Sequence, residues 1–165
     1  MPHNNSMKKP IDELFFLNKL SRFCAYQERS EKEVRNKLNL LQCPENWQLT
    51  VVESLKQSDF LNEDRFIKAF VEGKQNMKSW GKQKIFHKLL EKGISKSTAE
   101  NALSHLETVK YRNTLEKLLE KKWKLLNTKD MAMSKLIRFA LGKGYSFEDI
   151  QSVINKLEYN KKPSR

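Results

Sequence analysis

Set against itself with an offset of 51 residues, the sequence aligns without a gap across two junctions. Val34, Ile85 and Leu136 coincide, as do Leu38, Leu89 and Ala140, then Cys43, Ile94 and Tyr145. The match continues through Val51, Ala102 and Val153, through Val52, Leu103 and Ile154, and through Leu55, Leu106 and Leu157. Gly93 coincides with Gly144, and Gln42 takes that place in the first copy, with Pro44 close behind it. A fixed period of this length marks tandem supersecondary units that bury their apolar faces by stacking. The period predicts an all-α chain of three three-helix repeats, stacked into an elongated, curved body with limited hinge freedom between neighbours. The expected boundaries are a disordered tail at 1–10, repeats at 11–58, 59–107 and 108–158, and a polar tail at 159–165.

Local signals agree on helix. Glycine (5) and proline (4) are scarce, and between Ile11 and Lys162 the only proline is Pro44, too few turn formers for a strand-rich chain. Ile150, Val153, Ile154 and Leu157 fall at i, i+3, i+4, i+7, one apolar stripe of a helix; Ala99, Ala102, Leu103 and Leu106 repeat it. Val51, Val52 and Leu55 follow the same pattern, with Gln48 the exception. Ser30 with Glu33 reads as a capping box, and Ser97 with Glu100 or Ser146 with Asp149 as similar starts. Gly93 and Gly144 suit the left-handed residue that closes a helix. The first helix of each repeat is longer: about 14–28, 62–78 and 107–127, the last roughly 30 Å at 1.5 Å per residue.

The formal charge is +12, and it is uneven. Residues 1–60 carry 9 basic and 8 acidic groups, residues 61–108 carry 9 and 6, and residues 109–165 carry 14 and 6. Such a field attracts nucleic acid or an acidic protein surface. Basic residues interleaved with apolar ones, and no lipidation motif, argue against a membrane role. No apolar run exceeds four residues, so neither a membrane-spanning helix nor a signal peptide is expected, and the chain reads as soluble and intracellular. Cys24 and Cys43 stand 19 residues apart with no second pair and no nearby histidine, which gives zinc no ligand set; both read as small buried side chains. His3, His87 and His105 are scattered, and neither a triad arrangement nor a glycine-rich phosphate loop nor a two-carboxylate motif nominates catalytic chemistry. No enzyme activity and no cofactor are expected.

Two basic clusters are the candidate binding surfaces. Between 68 and 96 there are eight lysines against Glu72 and Glu91, among them Lys74, Lys78, Lys82, Lys84, Lys88 and Lys92. On a helix wheel Ile85, Phe86, Leu89 and Leu90 gather on one face, with Lys84 and Lys88 opposite. These lysines read either as a ridge toward phosphates or acidic protein, or as an ordinary solvated face. The second cluster, from 110 to 143, holds ten basic residues against Glu116, Glu120 and Asp130, with Lys117, Lys121 and Lys124 as candidates. Lys117 and Lys121 repel at i, i+4, and tolerance of that repulsion favours a polyanion nearby. Trp47, Trp80 and Trp123 are able to stack on bases if exposed, but packing within or between repeats is the expected role of all three. Glu63, Asp64 and Arg65 read as a set able to form a partner contact, but acidic residues at the start of a helix, where its dipole favours them, are the simpler reading.

Particular residues then resemble a known family. Phe60-Leu61-Asn62-Glu63-Asp64-Arg65-Phe66, followed by Trp80-Gly81-Lys82-Gln83-Lys84-Ile85, then Leu89 and Lys92-Gly93-Ile94, is similar to the central repeat of the RecX family, whose pattern runs Y-L-D-D-x-R-F, G-W-G-x-x-K/R-I, L, K/R-G-I. Arg29-Ser30, Glu33-Val34 and Lys37-Leu38 resemble the first repeat's R-x-S-x-x-E-L-x-x-K-L. Asn62 replaces the family's first acidic residue, and Ser79 stands where a glycine often precedes the tryptophan, which predicts an altered turn into the next helix. The likeness covers residues 15–106 by motif and the third repeat by periodicity. It implies mainly structural roles for the motif residues. It also implies a cytoplasmic, monomeric, cofactor-free regulator of the RecA recombinase in DNA repair, recombination and the SOS response. Such a protein binds the RecA–DNA filament along its groove and dampens ATPase, strand exchange and co-protease activity. A general basic helical DNA- or RNA-binding module is the alternative, and an adaptor for an acidic protein a third reading that lacks motif support.

Overall fold

A computed structural model describes residues 12–106, 108–126 and 132–159, with side chains to Asn155. The tails expected at 1–10 and beyond Tyr159, and the side chain of Leu157, lie outside the described residues. Among the described residues all regular structure is helical, nine helices in three sets of three. The first set is α1 (Glu13–Tyr26), α2 (Glu31–Leu40) and α3 (Glu45–Gln57). The second is α4 (Glu63–Lys78), α5 (Lys82–Glu91) and α6 (Lys96–Ser104). The third is α7 (Thr108–Lys124), α8 (Ala132–Lys143) and α9 (Phe147–Tyr159). The chain forms two compact units, one ending at Phe66 and the other beginning at Ile67.

The 51-residue register survives down to single hydrogen bonds. The Cys43 N–H donates to Leu38 O, Ile94 N–H to Leu89 O and Tyr145 N–H to Ala140 O, at 3.0, 3.1 and 3.2 Å. One residue earlier, the N–H groups of Gln42, Gly93 and Gly144 donate to Asn39 O, Leu90 O and Leu141 O, each at 2.9 Å. Paired bonds of this kind form a Schellman motif, which closes a helix through one left-handed residue and sets the following side chain against the last turn. Gln42, Gly93 and Gly144 have φ of 56°, 88° and 90°. The coincidence of 38/89/140 with 43/94/145 in the sequence is therefore the apolar contact that accompanies this motif, made three times. All six of those side chains are buried.

In the first unit Phe16, Leu20, Cys24, Val34, Leu38, Cys43, Val51, Val52 and Leu55 form one core, with Leu61 at its edge and Trp47 packed half-buried against it. Both cysteines are buried thiols; burial pushes the Cys24 thiol up to about 11. Gln48, the polar break in the α3 stripe, donates from its side-chain amide to Asn39 and to the Cys43 carbonyl, tying α3 to the turn before it. In the second unit Ile67, Val71, Ile85, Leu89, Ile94, Ala99 and Leu103 are buried. Tyr111, Leu115, Leu119, Leu136, Ala140, Tyr145, Ile150, Val153 and Ile154 form the core of the third repeat.

Helix starts hold the first corrections. Ser30 makes the full capping box with Glu33, and Ser146 Oγ accepts from the Asp149 N–H. The start expected at Ser97 lies instead at Ser95, which accepts the Thr98 N–H at 3.1 Å; Ser97 already belongs to the first turn. The chain turns into α6 as soon as Ile94 has closed the preceding motif, and this leaves no room for a later cap. α7 is shorter than 107–127. It ends at Lys124, with Leu125 and Leu126 turning out through bonds to Lys122 O and Trp123 O, which gives about 25 Å of helix. Glu107 and Asn127, the expected ends, lie outside the described residues.

The turn that ends α4 explains the serine departure. Ser79 has φ 50°, the left-handed region that an L side chain enters at a cost of about 1–2 kcal/mol and glycine enters freely. Ser79→Gly is expected to raise stability by about 0.5–1 kcal/mol, the relief of that strain less the added freedom of the unfolded chain. The urea midpoint reads it; an unchanged or lower midpoint would contradict the strain. Asn62, the other departure, caps α4: its Oδ1 accepts the Arg65 N–H at 3.0 Å while its amide donates to Asp59.

A joint between repeats and a candidate polyanion surface

Gly81, at the start of α5, has no side chain with which to cap the helix. Its caps come from the third repeat. The Gly81 N–H donates to Lys143 O at 2.9 Å and the Gln83 N–H to Gly144 O at 3.1 Å. Between them the Lys82 N–H donates to the Tyr111 hydroxyl at 3.3 Å, and that hydroxyl donates to Asp149 Oδ2 at 3.2 Å. Burial first, and the Asp149 charge after it, drive the Tyr111 phenol far above its ordinary range against the opposing pull of the Lys82 N–H. The hydroxyl stays protonated and available as a donor. The two backbones meet closely. A β-carbon on Gly81 would fall inside the contact distance of the Gly144 carbonyl, and one on Gly144 would strike the Lys84 backbone. The Tyr145 hydroxyl is buried without a hydrogen-bond partner among the described residues.

The joint takes up several of the middle-repeat lysines. Lys84 does not stand in a solvent-facing ridge: its Nζ donates to Gly142 O at 3.0 Å and lies 5.0 Å from the Trp80 ring centroid. Lys82 lies over the Tyr111 ring, and Lys74 over Phe70 and Trp80. Lys88 pairs with Glu91 at 2.6 Å. Lys78 is exposed, and its carbonyl accepts from Lys143 Nζ at 3.3 Å; Lys92 is half-buried. Charge alone did not separate lysines that hold the fold from those that face outward. Lys84→Glu is therefore expected to cost about 1–2 kcal/mol, because a carboxylate would face the Gly142 carbonyl and the cation–ring contact is lost. Lys88→Glu, losing one exposed pair, should stay within about 1 kcal/mol. Equal thermal melting of the two variants would contradict this division.

The motif residues hold structure. Leu61, Phe66, Ile85, Leu89 and Ile94 are buried, Trp80 is half-buried beneath Lys74 and Lys84, and Phe60 is partly exposed. Arg65 is engaged within the chain. Its Nε meets Glu28 at 2.9 Å, and its other nitrogens meet the Asp59 carboxylate and carbonyl. Trp123, at the end of α7, is the most exposed of the three tryptophans at 38%.

α7 carries the second candidate cluster. Tyr111, Leu115 and Leu119 are its buried residues, whereas Lys117, Lys121 and Lys124 are exposed, as is Lys110 one helical stretch earlier. None of these four lysines forms an ion pair with a described residue, although Glu120 stands four positions before Lys124. Sequence reasoning missed the Tyr111–Asp149 link and the place of Lys110. The only signal for the joint was a helix start, at Gly81, that lacks a capping side chain.

Among the described residues no helix is long and apolar enough to cross a membrane, and no group of three or more His, Cys, Asp or Glu is placed to hold a metal ion. Residues 62–103 match the family model described as RecX, second three-helix domain, and residues 111–154 the model described as RecX, third three-helix domain. The chain is 32% identical over 136 residues to the regulatory protein RecX of Clostridium perfringens strain 13, covering 80% of this chain and 63% of that protein. It is 37% identical over 114 residues to the regulatory protein RecX of Clostridium tetani, covering 67% and 52%. The chain thus spans somewhat less than two thirds of the length of these relatives. The crystal structure of RecX from Lactobacillus salivarius superposes with a TM-score of 0.79 at 25% identity, over 89% of this chain and 97% of that one. The two family models fall on the two repeats that the Gly81–Gly144 joint locks together, and with the matched relatives they place this chain in the RecX family.

Proposed function

We propose that the chain is a regulator that binds the RecA–DNA filament and dampens RecA ATPase, strand exchange and co-protease activity. Family membership supports the regulatory class, and one observation supports this mode of action. The second and third repeats are joined backbone to backbone, so the surface that they carry, including the cationic face of α7, is presented as a fixed array. A fixed array fits a partner with a regular repeat, because several weak contacts then act together and a single free protomer offers too few of them. On this reading the protein acts in the cytoplasm as a monomer, without a cofactor, and needs no catalytic group of its own.

RecA ATPase and strand exchange, measured with and without the purified protein, test the reading. Inhibition at amounts well below one molecule per RecA protomer is the expected result, with DNA binding strongly enhanced once RecA has polymerised. No effect on either activity would remove the proposal.

A further inference from the structure

The lysines of α7 lie in a line. At 100° per residue Lys110, Lys117, Lys121 and Lys124 fall within an arc of about 60°, on the side away from buried Tyr111, Leu115 and Leu119. Their α-carbons span about 21 Å of helix. Several lysines elsewhere in this unit are occupied, Lys122 and Lys143 over Phe139, Lys84 on a carbonyl, Lys88 and Lys96 on carboxylates, whereas exposed Lys68, Lys78 and Lys135 stand apart on other helices and form no such line. The four on α7 are exposed and bear like charge at i, i+4 and i, i+7, and none is in an ion pair with a described carboxylate.

We propose that this line is a track for the phosphate backbone of double-stranded DNA, read without regard to base sequence. The proposal rests on the regulatory reading of this surface and names its partner. Three features favour a duplex. An acidic protein surface is held by buried aromatic or aliphatic anchors at the centre of the interface, and the arc carries none. A single strand is held by rings on which its bases stack; Tyr111 is buried, and the exposed ring of α7, Trp123, lies about 100° round the helix from Lys124, with Glu116 and Glu120 in the sector between. A line of ammonium groups on a straight helix, by contrast, suits the stiff and regularly spaced phosphate backbone of a duplex, which carries one charge per about 1.7 Å of axis with both strands counted. The two glutamates border the track and repel a backbone that strays toward Trp123.

Fluorescence anisotropy with a 20-bp labelled duplex, and with a single strand of equal length, tests this. For four phosphate contacts the log Kd against log salt plot for the duplex should have a slope of magnitude near 3.6, so that Kd rises about a hundredfold between 50 and 200 mM salt. Changing Lys117, Lys121 and Lys124 together to glutamine should reduce that slope by roughly 2.7 and weaken duplex binding at least tenfold at 50 mM salt. The helix signal in circular dichroism should be kept, since like-charge repulsion is removed. Lys88→Gln with Lys96→Gln, which removes two lysines already paired with glutamates, should leave the slope unchanged. A triple variant with the parent's Kd and slope overturns the track, as does a parent that binds the single strand tenfold more tightly than the duplex. RecA ATPase on the same samples separates the two readings. A parent that inhibits RecA but does not bind duplex refutes only the track, and one that binds duplex but leaves RecA unaffected refutes only the regulator.

Discussion

Gly81→Ala is expected to destabilise the second unit by about 3–5 kcal/mol, although alanine is at ease at the φ of −80° and ψ of 167° found there. No backbone penalty enters, so the whole effect reports the joint. The added methyl would collide with the Gly144 carbonyl and the Tyr145 nitrogen, which are main-chain atoms and unable to swing aside as a side-chain end does. Parting the two backbones then forfeits the Gly81 to Lys143 and Gln83 to Gly144 bonds and strands the first N–H groups of α5. Hydrogen exchange at residues 81–83 should accelerate more than at the centre of α5. A loss below about 1 kcal/mol, with unchanged protection, would show that the joint does not carry the contact. Gly144→Ala should cost at least as much. Gln42 holds the corresponding place at φ 56° with a full side chain, so the left-handed turn alone is tolerable; at Gly144 the nearness of Lys84 forbids the side chain.

Leu89→Ala should cost about 2–5 kcal/mol, since this fully buried leucine would leave a cavity beneath the turn that closes α5. The third repeat carries alanine at the same register, Ala140, and is packed nonetheless. Its compensation stands five residues on: Tyr145 replaces the smaller Ile94 and Cys43 of the other copies, supplying at one end of the contact the volume that Ala140 lacks at the other. The middle repeat has no such partner, and Leu38→Ala in the first should fall with Leu89→Ala for the same reason. Urea unfolding with the slope held constant reads both, and a stable Leu89→Ala would mean that the turn closes over the lost volume and that Tyr145 is not needed to compensate for Ala140.

These residues also divide what was legible in the sequence from what was not. The repeat, the apolar stripes and the Ser30 box depend on neighbours within a turn or two, and amphipathic periodicity reports such local arrangements directly. The start of α6 was misplaced by two residues because several hydroxyls compete there, and only the closure at Ile94 decides among them. Lys84 was assigned to an outward ridge because a helix wheel shows which side faces away from its own core, not what a neighbouring repeat brings to the other side. The cap on α5 was invisible for the same reason: its acceptors are some sixty residues along the chain. Of the binding candidates, Lys117, Lys121 and Lys124 are exposed, whereas Lys74, Lys82 and Lys84 lie against rings or a carbonyl.

That borrowed cap has a bearing on synthesis. The helix of the first repeat that corresponds to α5 carries its own capping box, so everything needed to start it has left the ribosome within four residues of Ser30. α5 has to wait for Lys143 and Gly144. At about 5–20 residues per second the delay amounts to several seconds, during which α5 has an open amino-terminal end and its repeat lacks a finished neighbour. A nascent chain arrested before residue 143 should therefore hold a protease-resistant first unit ahead of a susceptible middle repeat. The last of the three repeats to emerge would then complete the folding of the one before it.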